Sequence, residues 1–145
     1  MPVVSSIYDA LMSDTIITDE LATYKYSSAD PETPAVFSLE EAPDDADSPF
    51  ILIRPVAGER GGSFEDRGYK GGLSVVDVVV YSDKSRSSKK LRDISTSIWD
   101  RLHRNRLAGD DDFELACFAD FPKYLADPNG FPGYVVSCFV KVRKK

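Results

Sequence analysis

The chain has 145 residues, of which 42% are hydrophobic and 29% charged, and its formal net charge is −6. A chain of this length is about one domain that buries roughly 68–70% of its unfolded surface, so it needs no metal or disulfide to build a core. The longest apolar runs fall far short of the ~20 residues of a membrane-spanning helix, and the start lacks the basic and apolar regions of a signal peptide. We therefore predict a single domain over residues 1–145 in a cytoplasmic protein without a membrane partner.

Charge is distributed unevenly along the chain. Residues 1–50 carry eleven acids against Lys25, a net of 1 − 11 = −10. Residues 84–106 carry eight bases against Asp93 and Asp100, a net of 8 − 2 = +6. Such polarity serves solubility, or it lets copies of one chain attract each other head to tail.

The N-terminal third alternates between helical and irregular segments. Apolar residues at helical spacing after Ser5 or Ser6 predict a helix over roughly 5–13, and a looser helical turn is predicted over roughly 17–23. Pro34–Leu39 is a short candidate strand. The acidic, proline-containing segment EEAPDDADSP comes next and is predicted to be a surface loop.

A strongly apolar strand, FILIR, follows Pro49 and carries apolar side chains on both faces. Such a strand is covered on both sides by its own chain, or on one side by a neighbouring subunit. The glycine-rich segment Ala57–Gly72 is much longer than a hairpin loop of about 2–5 residues, which indicates a functional or disordered tip. The return strand Val75–Tyr81 carries Asp77 on its second face, and we expect this carboxylate near the sheet rim or paired across an interface.

The segment after Ser82-Asp83 has the clearest helical pattern. Its apolar residues recur at intervals of 3, 4 and 4 positions and form one stripe. These residues are Leu91, Ile94, Ile98 and Leu102. Trp99 lies beside the stripe, and Asn105 and Gly109 are suitable stop signals.

Two strands are predicted to complete the chain. Phe113–Phe121 is the first, turn residues follow it, and the last strand alternates from Tyr134 onward with every second residue facing the core. The resulting order predicts an α+β fold. We expect an antiparallel or mixed sheet of about four to five strands, two to three helices packed mainly on one face, and a long β-hairpin tip.

The residues able to carry chemistry form no recognisable site. The glycine-rich segment lacks the G-x-x-x-x-G-K-[ST] pattern and precedes a strand instead of a helix, which disfavours phosphate binding. His103 is a lone histidine, expected at the surface or at a helix end. Cys117 and Cys138 fit reduced, buried thiols; a disulfide requires neighbouring strands and is disfavoured in the cytosol. We predict no enzymatic activity, no cofactor and no metal site.

The basic helix has two interpretations, a solvated face or a contact with the acidic half of another copy. Nucleic-acid binding is disfavoured, because the chain as a whole is acidic and its loops lack interleaved aromatic and basic residues.

The order of segments resembles one protein family. A helix with IYDALMSD, a short strand, SPFILIRPV, a variable loop and VVDVVVYSDKSRSSKKLRDISTSIWDRL occur in sequence, and FPKYLADPNGFPGYVVSCFVKVR resembles the family's ending. In these features the chain is similar to the tail-completion or tail-terminator proteins of long-tailed bacteriophages and related prophages. The resemblance covers most of the chain, although the loop at 40–48 and the tip at 57–72 are larger than usual in that family.

The resemblance implies a non-enzymatic ring, usually a hexamer, at the head–tail junction of the virion, with the host cytoplasm as the place of assembly. Its partners would be further copies of itself, the tail tube protein and the head connector, and DNA would pass through the lumen without sequence recognition. The subunit contact expected for this chain joins helix bases to the acidic loop: Arg86, Lys89, Arg92 and Arg101 to Asp44, Asp45 and Asp47. The loop expected to face the tube or the connector contains Gly58, Arg60, Gly61, Gly62, Phe64, Arg67, Tyr69 and Lys70.

Two other functions remain open at this stage. One is a head-closure or connector protein of the same junction. The other is an enzyme or a small-molecule-binding domain with an unrecognised site, which would have a deep pocket with convergent polar groups.

Overall fold

The computed structural model describes residues 2–38, 43, 45–56, 71–82, 88–107, 113–126 and 132–144. These residues contain three helices. They are α1, Pro2–Met12; α2, Thr15–Thr18; and α3, Ser88–Leu102. The predicted interruption between the first two is present, because the Asp14 carboxylate caps α2 by accepting a hydrogen bond from the Ile16 amide at 3.0 Å. The second helix ends earlier than the predicted turn over 17–23.

The same residues form nine strands. They are β1, Thr23–Tyr24; β2, Thr33–Pro34; β3, Val36–Phe37; β4, Phe50–Pro55; β5, Gly71–Tyr81; β6, Asn105–Leu107; β7, Phe113–Ala119; β8, Lys123–Ala126; and β9, Pro132–Lys144. Strands β1 and β2 form a small antiparallel pair. The others form a mixed sheet in the order β3-β4-β5-β9-β7-β6, in which β3 and β4 are parallel and β8 also pairs with β9.

Strands β7 and β8 follow one another along the same edge of β9, because β5 occupies the other edge over its whole length. The sequence predicted one strand as far as Phe121, but β7 ends at Ala119. The Asp120 amide still donates to the Ser137 carbonyl at 2.9 Å, after which Pro122 supplies no amide hydrogen to continue the ladder. The ladder resumes at Lys123.

The α+β class and the mixed sheet predicted from the sequence are confirmed, and the sheet has more strands than the four to five expected. The additional strands are short. Strand β6 has 3 residues and β8 has 4, which is too few for alternation to be visible in the sequence. The candidate strand predicted over Pro34–Leu39 is present in part as β3, Val36–Phe37. The pairing of β4 with β5 is antiparallel, from Phe50 opposite Tyr81 to Pro55 opposite Val76, as a hairpin requires.

The helices cover one face of the sheet. The predicted stripe of α3 is buried, with Leu91, Ile94, Ile98 and Leu102 at most 2% exposed. It belongs to one core cluster with apolar residues of α1 and with alternate residues of the strands. The strand members include Ile51, Ile53, Val76, Val78, Val80, Val136, Cys138, Val140 and Val142. Each fully buried side chain of this size contributes about 1.5–3 kcal/mol.

The C-terminal end of α3 is closed by Asn105, as predicted. Its side-chain amide donates to the Arg101 carbonyl at 2.7 Å and to the Asp100 carbonyl at 3.3 Å, which satisfies acceptors left unpaired at the helix end. The intervening Arg104 takes the left-handed conformation, with φ of 58°. Gly109, the second predicted stop signal, lies outside the described residues.

The buried stripe of α3 gives a direct test of the core. We expect Ile98→Ala to lower the free energy of unfolding by about 2–5 kcal/mol, because Ile98 is fully buried. Ile16→Ala is the matched control, since Ile16 is 70% exposed, and its effect should stay within about 0.5 kcal/mol. Urea denaturation of both variants measures the difference, and equal losses would contradict this arrangement of the core.

Candidate interaction surfaces

The residues with chemical potential do not converge. Within the described ranges, no three His, Cys, Asp or Glu side chains are grouped to hold a metal ion. No helix in that part of the chain is long and apolar enough to span a membrane. A cleft of about 580 Å³ lies between the end of α2 and residues 46–49, and its charged lining consists of Asp19, Glu20, Asp47 and Lys90.

The two cysteines are buried and unbonded. Their strands, β7 and β9, are neighbours: Cys117 lies opposite Val140, and Cys138 lies opposite Ala119. The hydrogen bond with Cys117 and burial raise the pKa of the Cys138 thiol well above its usual range. The prediction of reduced, buried thiols is confirmed, and a neutral thiol in the core is a packing residue and not a nucleophile.

His103 connects α3 to the sheet. Its Nδ1 accepts a hydrogen bond from the Ala119 amide at 3.0 Å, and the Trp99 indole donates to the carbonyl of the same residue at 3.0 Å. The two rings are stacked with centroids 4.7 Å apart. The expected helix-end position of His103 is confirmed, and its hydrogen bond gives it a structural role.

The helix bases predicted to contact another copy do not form a single patch. Arg92 and Arg101 are 101 − 92 = 9 positions apart on α3, which corresponds to a rotation of about 180° around the helix axis. Arg92 and Lys89 are exposed, whereas Arg101 is half-buried. Arg86, the remaining base of that prediction, lies outside the described residues.

The described acidic residues of the predicted contact lie in the segment that precedes β4. Asp45 and Asp47 are exposed, and the Asp45 carboxylate accepts a hydrogen bond from the Tyr24 hydroxyl at 2.9 Å. This bond raises the pKa of Tyr24. Asp44 lies outside the described residues, as do all eight residues expected to face the tube or the connector.

One opposite-charge contact between the acidic and basic segments is made within the chain. Lys90 Nζ lies 3.7 Å from Glu20 Oε2, with side chains 39% and 54% exposed. A pair this exposed stabilises the fold by about 0–1 kcal/mol.

Ile16 is exposed between Asp14 and Asp19 and lines a cleft with Glu20, Lys89, Lys90 and Asp93. Asp47 lines a second cleft, together with Asp19, Glu20 and Lys90. We call Asp14, Ile16, Asp19 and Asp47 the acidic corner.

The sheet face opposite the helices has two parts, and aromatic side chains cover the first. Ring centroids lie 5.3 Å apart for Tyr24 and Phe37, 6.2 Å for Phe37 and Phe50, and 5.8 Å for Phe50 and Tyr81. Leu52 is only 5% exposed beneath them. The apolar strand β4 is therefore covered on both sides by its own chain, which was one of the two arrangements predicted.

The second part of this face is uncovered by any described residue. Leu73 is 59% exposed and Phe118 is 50% exposed, and Phe118 lies opposite the half-buried Phe139. Lys141, opposite Leu73, and Arg143 are exposed beside them. We call Leu73, Phe118, Phe139, Lys141 and Arg143 the open patch.

Asp77 separates the two parts of the face. It lies on β5 inside the sheet, so the expected position near the rim is wrong. Its carboxylate accepts a hydrogen bond from the Ser137 hydroxyl at 2.9 Å, and Arg54 lies opposite it on β4. The residue completes a polar row across three strands of the same chain.

Sequence reasoning missed the open patch. The available signal was the segment FELACFA, which has apolar residues at both odd and even positions. Leu115 and Cys117 face the helices, and Phe118 faces away from them. A half-solvated antiparallel strand normally alternates apolar and polar residues. Phe118 departs from that alternation.

Comparison with solved structures finds a similar fold. A chain of the virion of a native gene transfer agent particle matches with a TM-score of 0.60 and 11% identity, covering 99% of this chain and 94% of that chain. At this identity the likeness concerns the fold alone. No family model matches the sequence, and no curated protein does.

Gly133 allows the covered part of the sheet face to be tested. A Cβ atom at this position would lie 2.9 Å from Tyr81 Cδ1 and 3.2 Å from the Leu125 carbonyl oxygen. We expect Gly133→Ala to lower the free energy of unfolding by about 1–3 kcal/mol through overpacking. The penalty should be smaller in a Tyr81→Ser background, where the ring is absent. Equal penalties in both backgrounds would rule out the ring as the obstacle.

Proposed function

We propose that the chain is a structural protein of a phage-like virion and that it acts as a tail terminator. Copies of it form a ring, usually a hexamer, that caps the tail tube and joins it to the head connector. DNA passes through the lumen without being read. The observation that carries the proposal is the fold likeness to a virion chain, which extends over 99% of this chain and 94% of that one.

The surface chemistry supports an assembly role. Of the exposed large hydrophobic side chains, Ile16 lies at the acidic corner, and Leu73 and Phe118 lie in the open patch. These surfaces carry opposite charge. Self-association through two different patches of one chain is heterologous, and heterologous contacts generate closed rings when the rotation between copies closes.

The charged residues support a structural role over an enzymatic one. The cleft between α2 and residues 46–49 gathers carboxylates and one lysine, and the histidine and both cysteines take part in the packing of α3, β7 and β9. Catalysis requires a nucleophile, acid or base directed at a site where substrate binds. Among the described residues, the histidine and both cysteines are instead engaged within the fold.

The subunit contact and the facing loop predicted from the sequence belong to this proposal. In the ring, the acidic region around Asp45 and Asp47 meets a basic surface of the next copy, either the exposed bases of α3 or the open patch. The glycine-rich tip between β4 and β5 meets the tube or the connector. The tail tube protein and the head connector are the proposed partners.

Electron microscopy of the purified full chain tests the proposal, alone and mixed with its tube protein. We expect closed annuli and tubes that are capped and shortened as the ratio of this chain to tube protein rises. A charge-neutral inert protein of similar size, added at the same ratios, is the control for crowding. Uncapped tubes of unchanged length would contradict the terminator role, and binding to connector complexes in that case would indicate a head-closure protein.

A further inference from the structure

We propose that the open patch of one copy docks on the acidic corner of a second copy of this chain. The inference rests on the proposed ring, because it names the contact from which such a ring is built. The proposed function names two basic surfaces for this contact, the exposed bases of α3 and the open patch, and the inference selects the open patch.

The open patch has the composition of an interface core. Phe118 and Leu73 are at least half exposed on strands whose other face is fully buried, and Val75 and Phe139 extend the apolar row between them. Large apolar side chains grouped on a solvent face indicate a surface that a partner covers. Aromatic side chains are enriched at the centres of such interfaces.

The charge on the Lys141 side of this apolar row is positive, whereas Asp77 and Asp120 lie beside Ser137 on its other side. Lys141, Arg143 and Arg106 stand against Glu114, a local net of 3 − 1 = +2 among the described residues of this region. Glu114 is itself engaged, because its carboxylate lies 3.8 Å from the Arg106 guanidinium. A partner for this side of the patch therefore offers an apolar contact bordered by carboxylates.

The acidic corner meets both requirements. Ile16 is 70% exposed, and the two clefts at this corner hold Asp19, Glu20, Asp47 and Asp93 against Lys89 and Lys90. With the adjacent Asp14, the local net charge is 2 − 5 = −3. Asp14, Ile16 and Asp19 lie on the helical layer, where α2 contacts α1 and α3, whereas the open patch lies on the opposite face of the sheet. One copy cannot close this contact on itself, so the contact joins different copies head to tail.

Charge reversal tests the pairing. We expect Lys141→Glu with Arg143→Glu to abolish assembly, and Asp19→Lys with Asp47→Lys to do the same, while circular dichroism and the Tm stay close to wild type. Mixing the two variants should restore assembly, because each reversed surface then meets a complementary one. Sedimentation velocity across a concentration series measures all three samples. An unfolded variant cannot produce this rescue.

Apolar truncation tests the centre of the contact. Phe118→Ser should weaken self-association about tenfold or more. Phe121→Ser is the matched control, because Phe121 is 60% exposed but lies outside the patch, against Trp99. The expected result for the control is wild-type assembly.

Four outcomes would overturn the inference. They are assembly that survives the reversal of Lys141 and Arg143, reversal variants that fail to rescue each other, wild-type protein that stays monomeric at every concentration, and a patch that binds a single-stranded oligonucleotide without self-association. Lys89→Glu with Arg92→Glu separates the inference from the proposed function. If this double variant is the only one that fails to form annuli, the contact lies on α3 and the proposed ring remains valid. If wild-type protein neither forms annuli nor caps tubes, the proposed function itself is wrong.

Discussion

The long antiparallel pairing of β5 with β9 determines both surfaces of this molecule. It runs from Gly71 opposite Arg143 to Tyr81 opposite Gly133 without a bulge. Alternate residues of both strands are buried under α1 and α3, and a slip of one residue would move that whole set into solvent. The helical core therefore fixes the register. The same register determines which side chains face away from the helices.

That second face is the basis of the proposed role in assembly. Its β4 side is closed by an aromatic cluster that includes Tyr81 packed over Gly133, and the polar row at Asp77 ends this covered region. Beyond the row, Phe118 and Leu73 remain exposed among cations. Grouped apolar side chains on a solvent face indicate an interaction surface, and in the proposed head-to-tail ring each such patch meets one complementary corner.

The sequence was informative where a pattern was long enough to repeat. The spacing of α3 and the alternation of β9 each run over three or more periods, so both elements and their buried residues could be predicted. The short strands β1 and β6 gave no such signal, and β8 was hidden by the break at Pro122. The charge counts along the sequence suggested attraction between the acidic and basic segments of different copies. Part of this attraction is made within one chain, where Lys90 contacts Glu20, and the sequence could not show that these distant residues meet. The open patch depends on cross-strand neighbours, which only the register reveals.

Zero-length carbodiimide crosslinking of assembled protein tests the account most directly, using a mixture of light and heavy-nitrogen-labelled chains. Lys90 and Glu20 should couple within one chain and give peptides of a single label, which serves as the internal control. The account predicts mixed-label peptides that join Lys141 to Asp19 or Asp47. Mixed-label peptides that join Lys89 to the acidic segment, with none from Lys141, would contradict it.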